Sequence, residues 1–575
     1  MSPRSELGDF TATKRIIPIT LIAIGIGIAA AFVALALLRL IGLFTNLFFY
    51  QRFDTAFASP AGHHLGLAVL FVPIVGALLV GLIARFGSEK IRGHGIPEAL
   101  ESILMRGSKV EARVAVFKPL SAAISIGSGG PFGAEGPIIM TGGAFGSLIA
   151  QRIHLTAAER KTLLVAGSAA GMAATFGTPI AATLLAVELL LFEWKPRSFV
   201  PVALASASAM ATRHFLFDAT PLFPVHALVA PDNIEVLLCC VIAGIAAGML
   251  SAAMTSSVYL FEDLFLKLKI HWMWWPAIGG VAIGLGGILE PRALGVGYDA
   301  IADLLHGHLA LTAIIALVLV KWAIWSISLG SGTSGGVLAP LLMLGAALGA
   351  ILAHVLPGAP IGFWPLIAMG GILGGTMRSP LTGIMFAAEV SGDFDALLPL
   401  TVAVVVAHAF TVLLLKRSVL TEKVARRGYH ITREYEIDPL EVLFVREVMK
   451  GAPEGAPLTH VAHADETLRA VTYRMASLRV TTMTVVEGTQ PVGLIELEDV
   501  LFARRRHLEE ETRRDRVPLI PEWLPQFVPE GVRQGVRGGV RGVRQGVRGV
   551  RFGVRGVRHG VRAGIRRLPF RRSDD

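Results

Sequence analysis

Residues 126–137 read IGSGGPFGAEGP, in which Glu135 is the one carboxylate among glycines, prolines and small side chains. The stretch lies between two long apolar segments, where an ionisable group is expensive and usually functional. Two further stretches share its design, GHGIP at Gly93–Pro97 and GVLAP at Gly336–Pro340. Glycine permits close backbone approach, and proline suits a first helical turn, where its missing N–H is not needed. Each stretch therefore predicts a helix N-terminus inside the membrane, with free amides and a positive dipole end that bind anions. Several such ends aimed at one point would hold an unhydrated anion without a full positive charge, loosely enough for it to leave. A carboxylate on such a helix start is a tethered anion mimic. Ionised, it fills the site; protonated or displaced, it opens it. Glu135 is thus a candidate gate, the alternative being a carboxylate that only stabilises its own helix.

The elements that must carry these loops are membrane helices. The 575 residues are 53% apolar and 17% charged, with a mean hydropathy of +0.61, where soluble domains carry about 25% charge. Ile16–Leu38 and Leu65–Ala84 contain no charged residue, and each is about the ~20 residues a helix needs to cross a bilayer. Trp322–Met377, with only the titratable His354, predicts two or three crossings. The first apolar run is too long for a cleavable signal peptide. Cys239 and Cys240 are adjacent in an apolar run, which gives neither a disulfide framework nor a metal site. The net charge of +10 belongs to the C-terminus, because Gly531–Asp575 holds 13 arginines and 2 aspartates.

An internal repeat runs through the body. ISIGSGGPFGAEGP (Ile124–Pro137) matches ISLGSGTSGGVLAP (Ile327–Pro340) at an offset of 203, with Gly127/Gly330, Gly129/Gly332, Gly133/Gly336 and Pro137/Pro340 among the identities. Downstream, GTPIAATLLAVELL (Gly177–Leu190) matches RSPLTGIMFAAEVS (Arg378–Ser391) at Pro179/Pro380, Ala186/Ala387 and Glu188/Glu389. Glycine-interrupted segments at corresponding places in two halves point to a transport site.

With these motifs in order, the chain resembles the CLC chloride channels and chloride/proton exchangers, whose patterns GSGIP, GREGP and GxFxP are similar to the three loops. The block RSPLTGIMFAAEVSGDF (Arg378–Phe394) is similar to a late segment of the same family. The resemblance covers roughly residues 16–427. It implies an all-α polytopic fold, an inverted repeat of tilted and broken helices, and a homodimer with one anion pathway per subunit. It also implies that Glu135 is the gating glutamate and that the amides of Val337 and Leu338 bind the anion, together with the loop residues His94, Gly95, Ile96 and Gly136. The sequence departs from the family at four places. His94 stands for a serine, Ala134 for the arginine of GREGP, Leu338 for the aromatic of GxFxP, and Leu420 for the pore tyrosine. Leu189, next to Glu188, stands where the family's exchangers usually carry a proton-transfer glutamate, and its channels an apolar residue. The imidazole of His94 either faces the anion or points away, satisfied by backbone.

Residues 1–14 read as a cytoplasmic N-terminus, 15–427 as the transport domain, 428–506 as a linker with one α/β module, and 507–575 as a polar and basic tail. Val445–Arg506 predicts helix, strand, strand, helix and looks like a single CBS motif. Glu496, three residues before Asp499, puts a carboxylate where a nucleotide phosphate or ribose would approach, so packing is favoured over nucleotide regulation. The tail repeats a Gly-Val-Arg unit with an arginine about every 3.7 residues from Arg533 to Arg566, close to the helical period. It reads as a disordered extension or as a segment folding on anionic lipid; nucleic acid is a weak third partner. No HExxH or Walker motif supports an enzyme, no signalling domain supports a sensor, and no cofactor is expected beyond chloride as substrate. The expectation is a chloride channel, with a proton-coupled antiporter as alternative, spanning the inner membrane of a bacterium with both termini cytoplasmic.

Overall fold

The computed structural model describes residues 13–105, 107–217, 220–225, 234–357, 359–427, 440, 443–451, 458–488 and 490–512. The expected N-terminal segment up to residue 12, most of the linker and the whole Gly-Val-Arg tail lie outside them. The chain separates into two compact units, Leu7–Glu436 and a smaller one from Ile437 onward.

In the larger unit the helices are α1 (Ile16–Tyr50), α2 (Phe71–Phe86), α3 (Ile96–Met105), α4 (Ala112–Gly127), α5 (Glu135–Gln151), α6 (Ala157–Phe176), α7 (Pro179–Leu185), α8 (Pro196–Leu216) and α9 (Ile234–Leu266). There follow α10 (Trp275–Leu289), α11 (Tyr298–Leu305), α12 (Leu311–Gly330), α13 (Leu338–Leu352), α14 (Phe363–Met377), α15 (Pro380–Ser391), α16 (Leu397–Leu414) and α17 (Val419–Arg426). Among the described residues, six segments are long and apolar enough to cross a membrane: Ile16–Tyr50, Gly66–Phe86, Ile234–Leu266, Trp272–Leu289, Leu311–Gly330 and Leu397–Arg426. Their outward faces carry Leu21, Phe32, Leu238, Ile242 and Leu319, all exposed, which suits lipid rather than water.

The repeat is visible in the packing. The contacting pairs α5/α6, α6/α8 and α1/α8 have counterparts in α13/α14, α14/α16 and α9/α16. Lipid gives no hydrophobic drive between helices, so close packing of small residues has to hold them. A Cβ on Gly142 of α5 would fall 2.3 Å from the carbonyl oxygen of Gly167 in α6, and one on Gly349 of α13 would fall 2.1 Å from that of Trp364 in α14. Trp322–Met377 departs from the expected two or three crossings. It holds the end of α12 and two helices of 15 residues, α13 and α14, too short to span by themselves. The glycine stretch 332–336 breaks the run, and Gly362, at φ 89°, starts α14.

The smaller unit is a four-stranded sheet with two helices. Its strands are β1 (Lys450–Gly451), β2 (Val461–His463), β3 (Thr482–Glu487) and β4 (Gln490–Glu496), in the order β1-β4-β3-β2, with only β2/β3 parallel. Helices α18 (Leu468–Leu478) and α19 (Leu497–Thr512) complete it. Val471, Met475, Met483, Val485, Ile495 and Val500 form the core. The expected helix, strand, strand, helix order is present. Two short extra strands precede it, and the last helix runs on past residue 506.

Candidate functional site

Glu135 is the first residue of α5 and is fully buried. Before it, Gly133 donates its N–H to the Gly336 carbonyl at 3.1 Å, and Gly336 returns the bond to Gly133 at 2.8 Å. This antiparallel bridge joins the two loops that match at offset 203, the sense of pairing that an inverted repeat requires of equivalent loops. The Glu135 side chain folds back onto the bridge. A Cβ on Gly133 would fall 1.7 Å from Oε2, and one on Gly336 2.8 Å from it. Both glycines are therefore required by the carboxylate itself. Among the described residues neither Glu135 oxygen has a partner of ordinary hydrogen-bond geometry, although the amides of Glu135 itself and of Ala339, at the start of α13, face the carboxylate.

Three helix N-termini meet here. A Cβ on Gly95 would lie 2.3 Å from the Gly136 carbonyl oxygen, one on Gly136 1.8 Å from that of His94, and one on Gly336 2.9 Å from the Gly136 amide nitrogen. Thus α3, α5 and α13 start side by side, and the amides of Ile96, Val337 and Leu338 sit in first turns, where no intrahelical acceptor exists. Gly95 departs from expectation. Its N–H donates to Glu98 Oε2 at 2.8 Å, so this amide is spent on the first turn of its own helix and is not open to an anion. Glu98 is in turn held by Lys423 at 3.2 Å and Arg427 at 3.3 Å.

His94 is 2% exposed, and its Nδ1 has no partner among the described residues. The expected alternative, a ring satisfied by backbone, does not describe this nitrogen. The residue lines a cavity of about 980 Å³, together with Arg92, Lys423 and Arg427. Its loop is pinned from behind by Lys118, whose Nζ donates to the carbonyls of Ile91 (2.8 Å) and Gly93 (2.7 Å) and to Ser334 Oγ (3.2 Å). Three acceptors are what a fully buried ammonium requires.

A fourth loop completes the arrangement. Lys321, exactly one repeat offset from Lys118, donates to the carbonyls of Ala293 (2.9 Å) and Gly295 (2.8 Å). The loop it holds, Gly295-Val296-Gly297-Tyr298, has both glycines at positive φ (62° and 78°), as Gly93 (88°) and Gly95 (93°) are in the His94 loop. Tyr298 then opens α11 as Ile96 opens α3. Lys118 bears on His94 and Lys321 on Glu135, so the two lysine-held loops serve different parts of the site. Lys321 and Tyr298 are both within electrostatic range of Glu135.

Leu338 and Leu420 are fully buried, and so is Leu189, inside the π-helical turn Ala186–Leu191 that follows α7. Neighbouring Glu188 crosses to the other half. It accepts from the amides of Leu381 (3.1 Å) and Thr382 (2.9 Å) and from Thr382 Oγ1 (2.6 Å), capping α15. Glu389 of α15 reciprocates, accepting from the amides of Ile180 (3.0 Å) and Ala181 (2.8 Å) at the start of α7. Lys118, Lys321, Tyr298 and these reciprocal caps were not expected. The offset of 203 already carried Lys118 onto Lys321, and G-x-x-E at Gly95–Glu98 was a capping signal.

The sequence profile of the family described as "Voltage gated chloride channel" matches residues 75–412. The chain belongs to the CLC family. Like other CLC proteins it is a membrane protein that transports anions. The voltage-gated ClC-type chloride channel ClcB of Salmonella typhimurium is 28% identical over 360 residues, 60% of this chain and 84% of that protein. ClcB of Escherichia coli O127:H6 is 26% identical over 422 residues, 71% and 99% of the two chains. Among solved CLC structures, a slow cyanobacterial Cl⁻/H⁺ antiporter gives a TM-score of 0.65 at 19% identity, covering 72% of this chain and 99% of that one. A CLC-type fluoride/proton antiporter gives 0.60 at 22%, covering 70% and 97%. At such identities the likeness concerns the fold.

Proposed function

We propose that the chain is a chloride-conducting channel, a homodimer with one pathway per subunit, gated by Glu135. The observation that carries this reading is the meeting of three helix N-termini around a buried carboxylate that is faced by backbone amides alone. Such a place favours negative charge through partial charges alone, and Glu135 supplies that charge until an anion replaces it. His94, Ile96, Gly136, Val337 and Leu338 contribute the surrounding donors and close backbone. Uncoupled conduction is supported by Leu189, which has no proton to transfer, and by Glu188, whose oxygens are committed to the start of α15. In the smaller unit, Lys450 Nζ lies 2.8 Å from both Glu496 and Asp499. That ion-paired corner supports a packing role for the CBS-like module over nucleotide binding. The protein would sit in the bacterial inner membrane with both termini cytoplasmic.

The gate is tested by chloride efflux from proteoliposomes across pH. Glu135→Gln should raise efflux at neutral pH and flatten its pH dependence. Identical pH profiles for wild type and variant would remove Glu135 from the pathway.

A further inference from the structure

Tyr298 is unexplained by anything above. Its ring is fixed on three sides, stacked on Phe57 at 6.0 Å and met edge-on by Phe223 at 5.7 Å and Phe176 at 6.5 Å. Its hydroxyl is buried and has no hydrogen-bond partner among the described residues. A buried tyrosine hydroxyl normally finds one, because leaving it unpaired costs about 1–3 kcal/mol. The aromatic walls accept no hydrogen bond of ordinary strength, so the phenol is a donor held in a fixed direction without an acceptor.

The charge that acts on this hydroxyl is Glu135, whose two oxygens are equally buried and are faced by backbone amides alone, its own and that of Ala339. The unpaired phenol is thus a donor within electrostatic reach of the place that the carboxylate charge occupies. The sign of what binds there is set by the surroundings. Lys321 bears on the same place, and α11 packs on α13, which begins with the free amides of Val337 and Leu338. Asp299, the adjacent carboxylate, is exposed and engaged by Ser59 Oγ at 2.5 Å. Phenol, ammonium and helix N-terminus all favour an anion.

We propose that the Tyr298 hydroxyl binds the transported anion beside Glu135. This rests on the anion-pathway reading and adds to it. The pathway has lost hydroxyls at His94 and Leu420, and the structure assigns it one at Tyr298. When Glu135 moves aside or is protonated, a small anion such as chloride or nitrate takes the place of its carboxylate and accepts the phenol proton.

Tyr298→Phe removes the hydroxyl and keeps the aromatic packing. Chloride and nitrate binding are measured by calorimetry on purified Glu135→Gln protein, with and without Tyr298→Phe, and efflux is measured for both in liposomes. The added substitution should weaken anion affinity roughly ten- to a hundredfold, the effect of one hydrogen bond to an anion. Unchanged affinity in the Glu135→Gln background would overturn the proposal, leaving the hydroxyl to water. An efflux change from Tyr298→Phe that appears only when Glu135 is intact would also overturn it, because the phenol would then act on the carboxylate. Failure of the Glu135→Gln protein to bind either anion would overturn the pathway reading as well as this one.

Discussion

Glu188→Ala should destabilise the protein while leaving its transport mode unchanged. The carboxylate accepts two backbone amides and one hydroxyl, at 2.6–3.1 Å, across 193 and 194 residues of sequence. Hydrogen bonds to a charged acceptor contribute about 1.5–3 kcal/mol each, which sets a ceiling of several kcal/mol for three. Two effects lower it. Leu381 is 49% exposed, so its freed amide is not sealed in the core, whereas Thr382 is 1% exposed and its hydroxyl can turn to another acceptor. Loss of an ordinary N-cap costs about 0.5–2 kcal/mol. We therefore expect a loss of about 2–4 kcal/mol. Glu389→Ala, which removes two amide bonds and no hydroxyl, should cost less. The assay is thermal denaturation of detergent-solubilised protein, read as the surviving size-exclusion peak, with chloride and proton flux on the same preparations. A midpoint for Glu188→Ala within about 1 °C of wild type would refute the capping argument, since ~1 kcal/mol moves a large domain by ~2–4 °C. Proton coupling that changes with Glu188→Ala would refute the view that its oxygens serve structure alone.

Other substitutions test separate parts of the structure. Gly142→Leu should abolish monodisperse expression, because its side chain would start 2.3 Å from the Gly167 carbonyl oxygen. Gly25→Ala, with nothing within 4 Å, should be neutral or stabilise by up to ~1 kcal/mol in the same thermal assay. His94→Ser should alter the relative efflux of chloride and nitrate, and identical ratios would take the side chain out of the pathway. Lys450, an exposed side chain, has its pKa raised by its hydrogen bonds to Asp499 and Glu496. A raised lysine pKa adds stability that is complete below the unfolded value of about 10.4 and is lost only at higher pH. Lys450→Met should therefore shift the unfolding of the smaller unit equally at every pH between about 6 and 9. A shift that grows or shrinks within that window would contradict the sign.

Much of the site was legible because its chemistry is local. Glycines followed by a proline announce buried helix starts, and Glu135 stands out as the one carboxylate among them. The offset of 203 implied that the two loops correspond, and the Gly133–Gly336 bridge is that correspondence in hydrogen bonds. What could not be read was mainly long-range. Glu188 and Glu389 look like two ordinary helical acids, and only the inverted fold sends each across to cap the other's partner helix. The fourth loop escaped notice because Tyr298 and Asp299 replace the Ile96 and Pro97 of its counterpart, leaving only the glycines to match. Gly95 was misread for the opposite reason. Its acceptor, Glu98, is three residues away, and that local signal outweighs the analogy with the other loops.

The most direct test follows chloride and protons together in sealed proteoliposomes carrying an outward chloride gradient. The account predicts that wild-type protein releases chloride without moving protons uphill, and that Glu135→Gln releases it faster at neutral pH, still without proton movement. Uphill proton transport driven by chloride in the wild type, and lost in Glu135→Gln, would contradict the channel reading and make the chain a coupled exchanger.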